Sequence, residues 1–171
     1  QVAAAFLELS RRFGRLDILV NNAGIGHVGT AVSTTEQDFD RLFAVNVKGV
    51  FFCTQQALPL LQARGKGVIC NLASIASLIG VADRFAYSMT KGAVLTMTKS
   101  IAIDYMAAGV RCNCICPARI HTPFVDGYLA KNYRGQEKAR FDKLAAYQPM
   151  GRMGTPHEVA TQGSVNTRMG V

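Results

Sequence analysis

Leu16-Asp17-Ile18-Leu19-Val20-Asn21-Asn22-Ala23-Gly24 is the stretch whose reading decides the fold. Its first five residues form a short apolar run, the pattern of a buried strand. The run stops in two amides and two small residues, which open a glycine-rich loop reaching Gly29. Upstream, residues 2–13 have the spacing of an amphipathic helix closed by Gly14. Downstream, Thr34 or Thr35 can cap a helix that begins near Glu36 and runs to about Leu61.

The same alternation continues along the chain. Gly65-Lys66-Gly67 is a turn, Val68–Leu72 a second apolar strand, and Ser74–Arg84 a loop. A helix is expected from Phe85 to Ala108, ending at Gly109. Val110–Cys116 is a third strand, stopped by Pro117, and a short helix follows near Glu137–Tyr147. A last helix starts after Pro156. Three apolar strands separated by long helices imply parallel pairing through right-handed crossovers, a doubly wound α/β sheet. Ligands in such folds sit at the carboxyl ends of the strands. The polar motifs fall there, after Val20, Leu72 and Cys116.

Composition narrows the class. The 171 residues are 49% apolar, which suits one globular domain with a core. No apolar run reaches the ~18 residues of a membrane span, and no charged-then-apolar signal opens the sequence. The net charge of +8 is spread from Arg11 to Arg168, and its densest stretch, Lys131 to Lys143, is interrupted by Glu137 and Asp142. That pattern reads as a solvated surface and argues against nucleic acid as a partner. Of the five cysteines, Cys112, Cys114 and Cys116 alternate, which in a strand separates the outer two by roughly 13 Å. No single zinc ion spans that distance, so these are read as small core residues with no metal. Free thiols fit a reducing cytoplasm.

The chemistry centres on Tyr87-Ser88-Met89-Thr90-Lys91. Residues four apart share a helix face. A phenol ordinarily titrates near pH ~10, and an adjacent ammonium favours its phenolate. Alone the spacing is a weak signal. Ser74 stands 13 residues before the tyrosine, Asn21-Asn22-Ala23-Gly24 follows the first strand, and Asn46 lies within Asn46-Val47-Lys48-Gly49 on the intervening helix. Together, in this order and with these gaps, the residues resemble the short-chain dehydrogenase/reductase family and its Rossmann-like fold.

The resemblance implies a role for each position. Tyr87 would be the general acid/base. Ser74 would hydrogen-bond the substrate oxygen. Lys91 would lower the Tyr87 pKa and bind the nicotinamide ribose, and Asn46 would hold a water linking Lys91 to solvent. Asn22, Ala23 and Gly24 would pass the adenosine half of NAD or NADP, both of which stay open, while Asn21 holds the sheet. Pro117, Ile120 and Thr122 match the family's nicotinamide-contacting segment, with Ala118 where the family has glycine. Residues 124–150 would be a mobile substrate lid. Gln148-Pro149-Met150-Gly151-Arg152 resembles members that act on small sugar-derived or hydroxy-acid substrates. Ser77, Gly26, Gly29 and His121 are read as turn or surface-loop residues.

The expected activity is interconversion of a secondary alcohol and a ketone. The alternative is an inactive remnant that associates with other subunits. The family's interfaces use the helices near residues 36–61 and 85–108, so a homodimer or homotetramer is implied. Residues 1–160 are expected to form part of the nucleotide-binding domain. The family's Thr-Gly-x-x-x-Gly-x-Gly loop does not occur in this sequence. After Ala160 the helical periodicity fails, so residues 161–171 are expected to be an irregular tail. Without the family's first strand beside it, the Leu16–Val20 strand would be an exposed apolar edge. The 171-residue chain by itself is therefore expected to be poorly soluble or partly unfolded. A sharp, cooperative, monomeric melt would overturn that expectation.

Overall fold

The computed structural model describes residues 1–168. It divides into two compact units, Gln1–Cys116 and Pro117–Val165. In the first, helix α1 (Val2–Phe13) leads to β1 (Ile18–Asn21). Gly14 closes α1 at φ 64° and returns its N–H to the Ser10 carbonyl. Then come α2 (Glu36–Leu42), a π-turn (Phe43–Lys48), α3 (Gly49–Ala63) and β2 (Gly67–Leu72). After a short 3-10 turn (Ile75–Ser77), α4 (Phe85–Asp104) crosses back to β3 (Val110–Ile115).

The strands form a parallel sheet, as the alternating pattern implies, and their order is β1-β2-β3. Asn21 belongs to β1, paired with Asn71, so the strand sits one or two residues later than the apolar run alone suggested. Ala57, Leu58 and Leu61 of α3 pack on Ile69, Val110 and Cys112, joined by Phe6, Leu19 and Ile101. Helices α1, α3 and α4 therefore cover one face of the sheet. Ile18 and Val20, which alternate with Leu19 and Asn21, remain 46% and 54% exposed on edge strand β1. The turn that leads from α4 into β3 depends on Gly109. It has φ 72°, and a Cβ there would lie 2.1 Å from the Gly65 carbonyl oxygen.

Several expectations need adjustment. Of the two candidate caps, Thr35 is the one used, its Oγ1 accepting from the Asp38 N–H at 3.1 Å. The helix expected from Glu36 to Leu61 carries the π-turn in its middle, which composition does not announce. The helix expected to reach Ala108 stops at Asp104 and tightens into a 3-10 turn at Met106–Ala108. Cys112 and Cys70 are buried, whereas Cys114 and Cys116 are half-buried, and all five thiols are free. Burial, with Cys114 and Cys70 nearby, pushes the Cys112 thiol up to about 12.

The second unit holds α5 (Pro123–Asn132), α6 (Glu137–Ala146) and the start of α7 (Pro156–Arg168). Helix α5, begun by Pro123, lies where the sequence suggested only loop. The tail also differs from expectation, because residues 161–168 continue α7 and are not irregular; residues 169–171 lie outside the described residues. The loss of apolar periodicity after Ala160 reports lack of burial, not lack of helix. The helix is started by Pro156 and a capping box in which Thr155 Oγ1 accepts from the Glu158 N–H and Glu158 accepts from the Thr155 N–H.

Glu158 is also held by Arg152, through contacts of 2.7 and 3.1 Å. The Arg152 guanidinium, followed by the Thr155 N–H, holds the Glu158 carboxyl down at about 2. A depressed carboxylate stabilises the fold above its ordinary pKa, and that contribution fades as pH falls through the folded value. Glu158→Gln is therefore expected to lower the melting temperature at pH 6 but not at pH 2. Parallel acid melts of the two proteins check this, and a loss of equal size at both pH values would contradict it.

Candidate active site

The site is assembled at the carboxyl ends of β1 and β2, where the loop after β1, the π-turn and the first turns of α4 converge. Asn46 is its hub. A π-turn inserts one extra residue into helical winding, a device found often at functional sites. Here the Gly49 N–H reaches back five residues to the Ala44 carbonyl, and Asn46 turns inward to 1% exposure. Its Oδ1 accepts from the Ile25 N–H at 2.8 Å. Its Nδ2 donates to the Ile25 carbonyl at 2.9 Å and to Thr90 Oγ1 at 3.1 Å. Both amide donors are thus committed to protein partners. The Asn46 carboxamide ties the loop after β1 to α4.

Lys91 is buried on α4 and donates to the Leu72 carbonyl at 2.6 Å, at the end of β2. Its Nζ stands 6.0 Å from the ring centre of half-buried Tyr87. Burial, which penalises the charged form, lowers the Lys91 pKa. Gly24 completes the cluster, since a Cβ there would lie 3.3 Å from both Asn46 Oδ1 and Lys91 Nζ. A side chain at position 24 would crowd these groups by a few tenths of an ångström. Asn22 and Ala23 are exposed beside it.

Ser74 follows β2 and caps the 3-10 turn, which packs against α4. Its Oγ accepts from the Ala76 N–H at 3.2 Å, and Ser77 Oγ donates to the Ser74 carbonyl. With a lone pair engaged by Ala76, the Ser74 hydroxyl keeps its own proton to donate. Ser77 therefore shapes the turn, consistent with its reading as a turn residue. The structure brings Gly24, Asn46, Tyr87 and Lys91 into one cluster and sets Ser74 on the turn against α4.

Pro117, Ile120 and Thr122 lie in the second unit. Ile120 pairs with Gly154, whose missing Cβ leaves room for the Ile120 side chain, and Thr122 precedes α5 and accepts from the Val125 N–H through its carbonyl. His121 bonds Asp126 at 2.9 Å and meets Phe141 edge-on at 4.9 Å, a structural role. The sequence reading passed over Thr90 and the backbone of Ile25. The signal for Thr90 was present, since a helix-interior threonine next to Lys91 is disfavoured by propensity unless its hydroxyl has work there.

Comparison with known proteins adds an independent line. The sequence pattern of the family described as Enoyl-(Acyl carrier protein) reductase matches residues 1–163. A 2-(R)-hydroxypropyl-CoM dehydrogenase of Xanthobacter autotrophicus is 42% identical over 162 residues, 93% of this chain and 62% of that protein. A 2-keto-3-deoxy-L-fuconate dehydrogenase of Xanthomonas campestris is 42% identical over 159 residues, 92% of this chain and 53% of that protein. The aldohexose dehydrogenase of Thermoplasma acidophilum superposes with a TM-score of 0.92 at 31% identity, over 98% of this chain and 66% of that one. ElxO with NADP bound gives 0.90 at 31% identity, again covering 98% and 66%. The chain thus spans between about half and two thirds of the length of these proteins.

The close fit around Gly24 is testable. Gly24→Ala is expected to destabilise the chain by about 1 kcal/mol, and Gly24→Val by up to about 3, because Asn46 Oδ1 is pinned and cannot retreat. Urea unfolding of the three proteins measures this, and equal midpoints would show that the loop yields freely.

Proposed function

The chain belongs to the short-chain dehydrogenase/reductase family, and on that basis we propose that its protein interconverts a secondary alcohol and a ketone by hydride transfer with NAD or NADP. The observation that carries this reading is the cluster of Gly24, Asn46, Tyr87 and Lys91 at the strand ends. The residues fit a nicotinamide cofactor, since Gly24 leaves open backbone where a side chain would intrude and Lys91 offers a cation beside it. Asn22, Ala23 and Gly24 would line its path, with Pro117, Ile120 and Thr122 as the further contacts the family resemblance implies. The cofactor, when bound, supplies or accepts the hydride.

The chain's own groups handle the proton. In the oxidative direction Tyr87 Oη takes the proton from the substrate hydroxyl, and in the reductive direction it returns the proton to the carbonyl oxygen. The Ser74 hydroxyl, its lone pair held by Ala76, donates to the same substrate oxygen and orients it. Lys91 places positive charge near the Tyr87 ring, and Asn46 holds the loop and α4 at fixed separation.

The finer substrate reading is a small sugar-derived or hydroxy-acid alcohol. It is supported by Gln148–Arg152 and by relatives whose names specify hydroxypropyl-CoM and 2-keto-3-deoxy-L-fuconate. Residues 1–160 are proposed as part of the nucleotide-binding domain, with 124–150 as the substrate lid that the family resemblance implies. A homodimer or homotetramer is supported by a groove of about 540 Å³ along α3 and α4, lined by Val50, Phe51, Met97, Ile101 and Tyr105. A chain acting only by association would use the same groove. No helix of the described residues is long and apolar enough to cross a membrane; the cytoplasm is the proposed location.

Tyr87→Phe is expected to lower turnover by at least about 10²-fold while cofactor binding changes little. Steady-state kinetics with NAD and NADP on a panel of hydroxy acids and sugars, with cofactor titration by fluorescence, check this. Turnover retained in the phenylalanine variant would remove Tyr87 from the mechanism.

A further inference from the structure

Thr90 is fully buried on α4, between Tyr87 and Lys91. Its hydroxyl makes two bonds of opposite sense. Oγ1 donates to the Tyr87 carbonyl at 2.8 Å, closing the helical turn that carries the tyrosine. The same oxygen accepts from Asn46 Nδ2 at 3.1 Å. Asn46 in turn grips both backbone groups of Ile25, the residue after Gly24. A continuous chain of hydrogen bonds therefore runs from the loop after β1, through the π-turn, to the Tyr87 turn.

We propose that the Thr90 hydroxyl is a positioning group, fixing the turn that carries Tyr87 and Lys91 against Asn46. The inference rests on the oxidoreductase reading for its kinetic consequence, but not for its structural one. A hydroxyl is required because the position must donate and accept at once. Alanine or valine can do neither, and would leave an Asn46 amide hydrogen buried without a partner. Lys91 is the next residue along. Its Nζ is held by the Leu72 carbonyl, so slack in the Tyr87 turn changes the relation between phenol and ammonium. Back-bonding from a helical threonine to its own helix is common. The second bond, across to Asn46, sets this one apart, because it joins two helices at the site.

The test compares Thr90→Val, nearly the same shape without the hydroxyl, with Thr90→Ser, which restores it. In the first arm, proton NMR exchange follows the Asn46 side-chain amide and the backbone amides of Tyr87–Lys91. In T90V both are expected to exchange at least tenfold faster, and in T90S to return to within about threefold. In the second arm, kcat is expected to fall about 10- to 100-fold in T90V with the cofactor KM within about threefold, the size that follows from misplacing a reacting group by a fraction of an ångström. T90S should recover most of the loss. If T90V does not fold, Thr90→Cys, of similar size and with only a weak donor, is read in its place and should move in the same direction. Unchanged exchange, unchanged kcat, or a loss that serine does not rescue would overturn the proposal. Absence of NAD(P)-dependent turnover in the unsubstituted protein would overturn the oxidoreductase reading instead, and the exchange arm would still decide the role of Thr90.

Discussion

A 2.8 Å hydrogen bond between two buried amides, Asn21 Nδ2 and Asn71 Oδ1, fixes the geometry on which the candidate site depends. The two residues are register partners at the carboxyl ends of β1 and β2. A one-residue slip of β1 would turn Asn21 to the other face and break the bond. Thr54 of α3 accepts from Asn21, and Thr98 of α4 accepts from Asn71, so the same amides anchor the helices to the strands. Buried polar groups without partners are costly, so such a network tolerates one arrangement and few others. The loop Asn22–Gly24 starts from this fixed end, and Leu72, whose carbonyl holds Lys91, follows Asn71 directly.

Two constraints of opposite character meet at the site. Lys91 carries a desolvation cost, since burial disfavours its charge. Asn46 makes three good bonds and is fully enclosed. The satisfied amide supplies the rigidity that lets an unfavourable cation be kept in place, a pattern common where stability is given up for function. Gly24 belongs to the same arrangement, because its lack of a side chain lets the loop close over both groups.

The three parallel strands were legible in the sequence, because buried strands read as apolar runs and helices separate them. Order and spacing singled out Gly24, Asn46, Tyr87 and Lys91, which the fold brings together. What escaped was local winding. The π-turn at Phe43–Lys48 has no composition signature, being a consequence of where Asn46 can find partners. Helix α5 was not read from the sequence, and the helical course of residues 161–168 escaped because periodicity speaks of burial only. The bond between Thr90 and Asn46 was hidden for another reason, since it joins residues 44 apart in sequence and only the fold brings them together.

The π-turn also bears on how this segment can vary. Its extra residue makes chain length, more than residue identity, the guarded quantity between Glu36 and Ala63. Deleting one position within the π-turn would return the stretch to ordinary α winding and remove the bulge that turns Asn46 inward. Substitutions nearby can be absorbed one at a time, whereas a single-codon deletion would point Asn46 away from both its tethers.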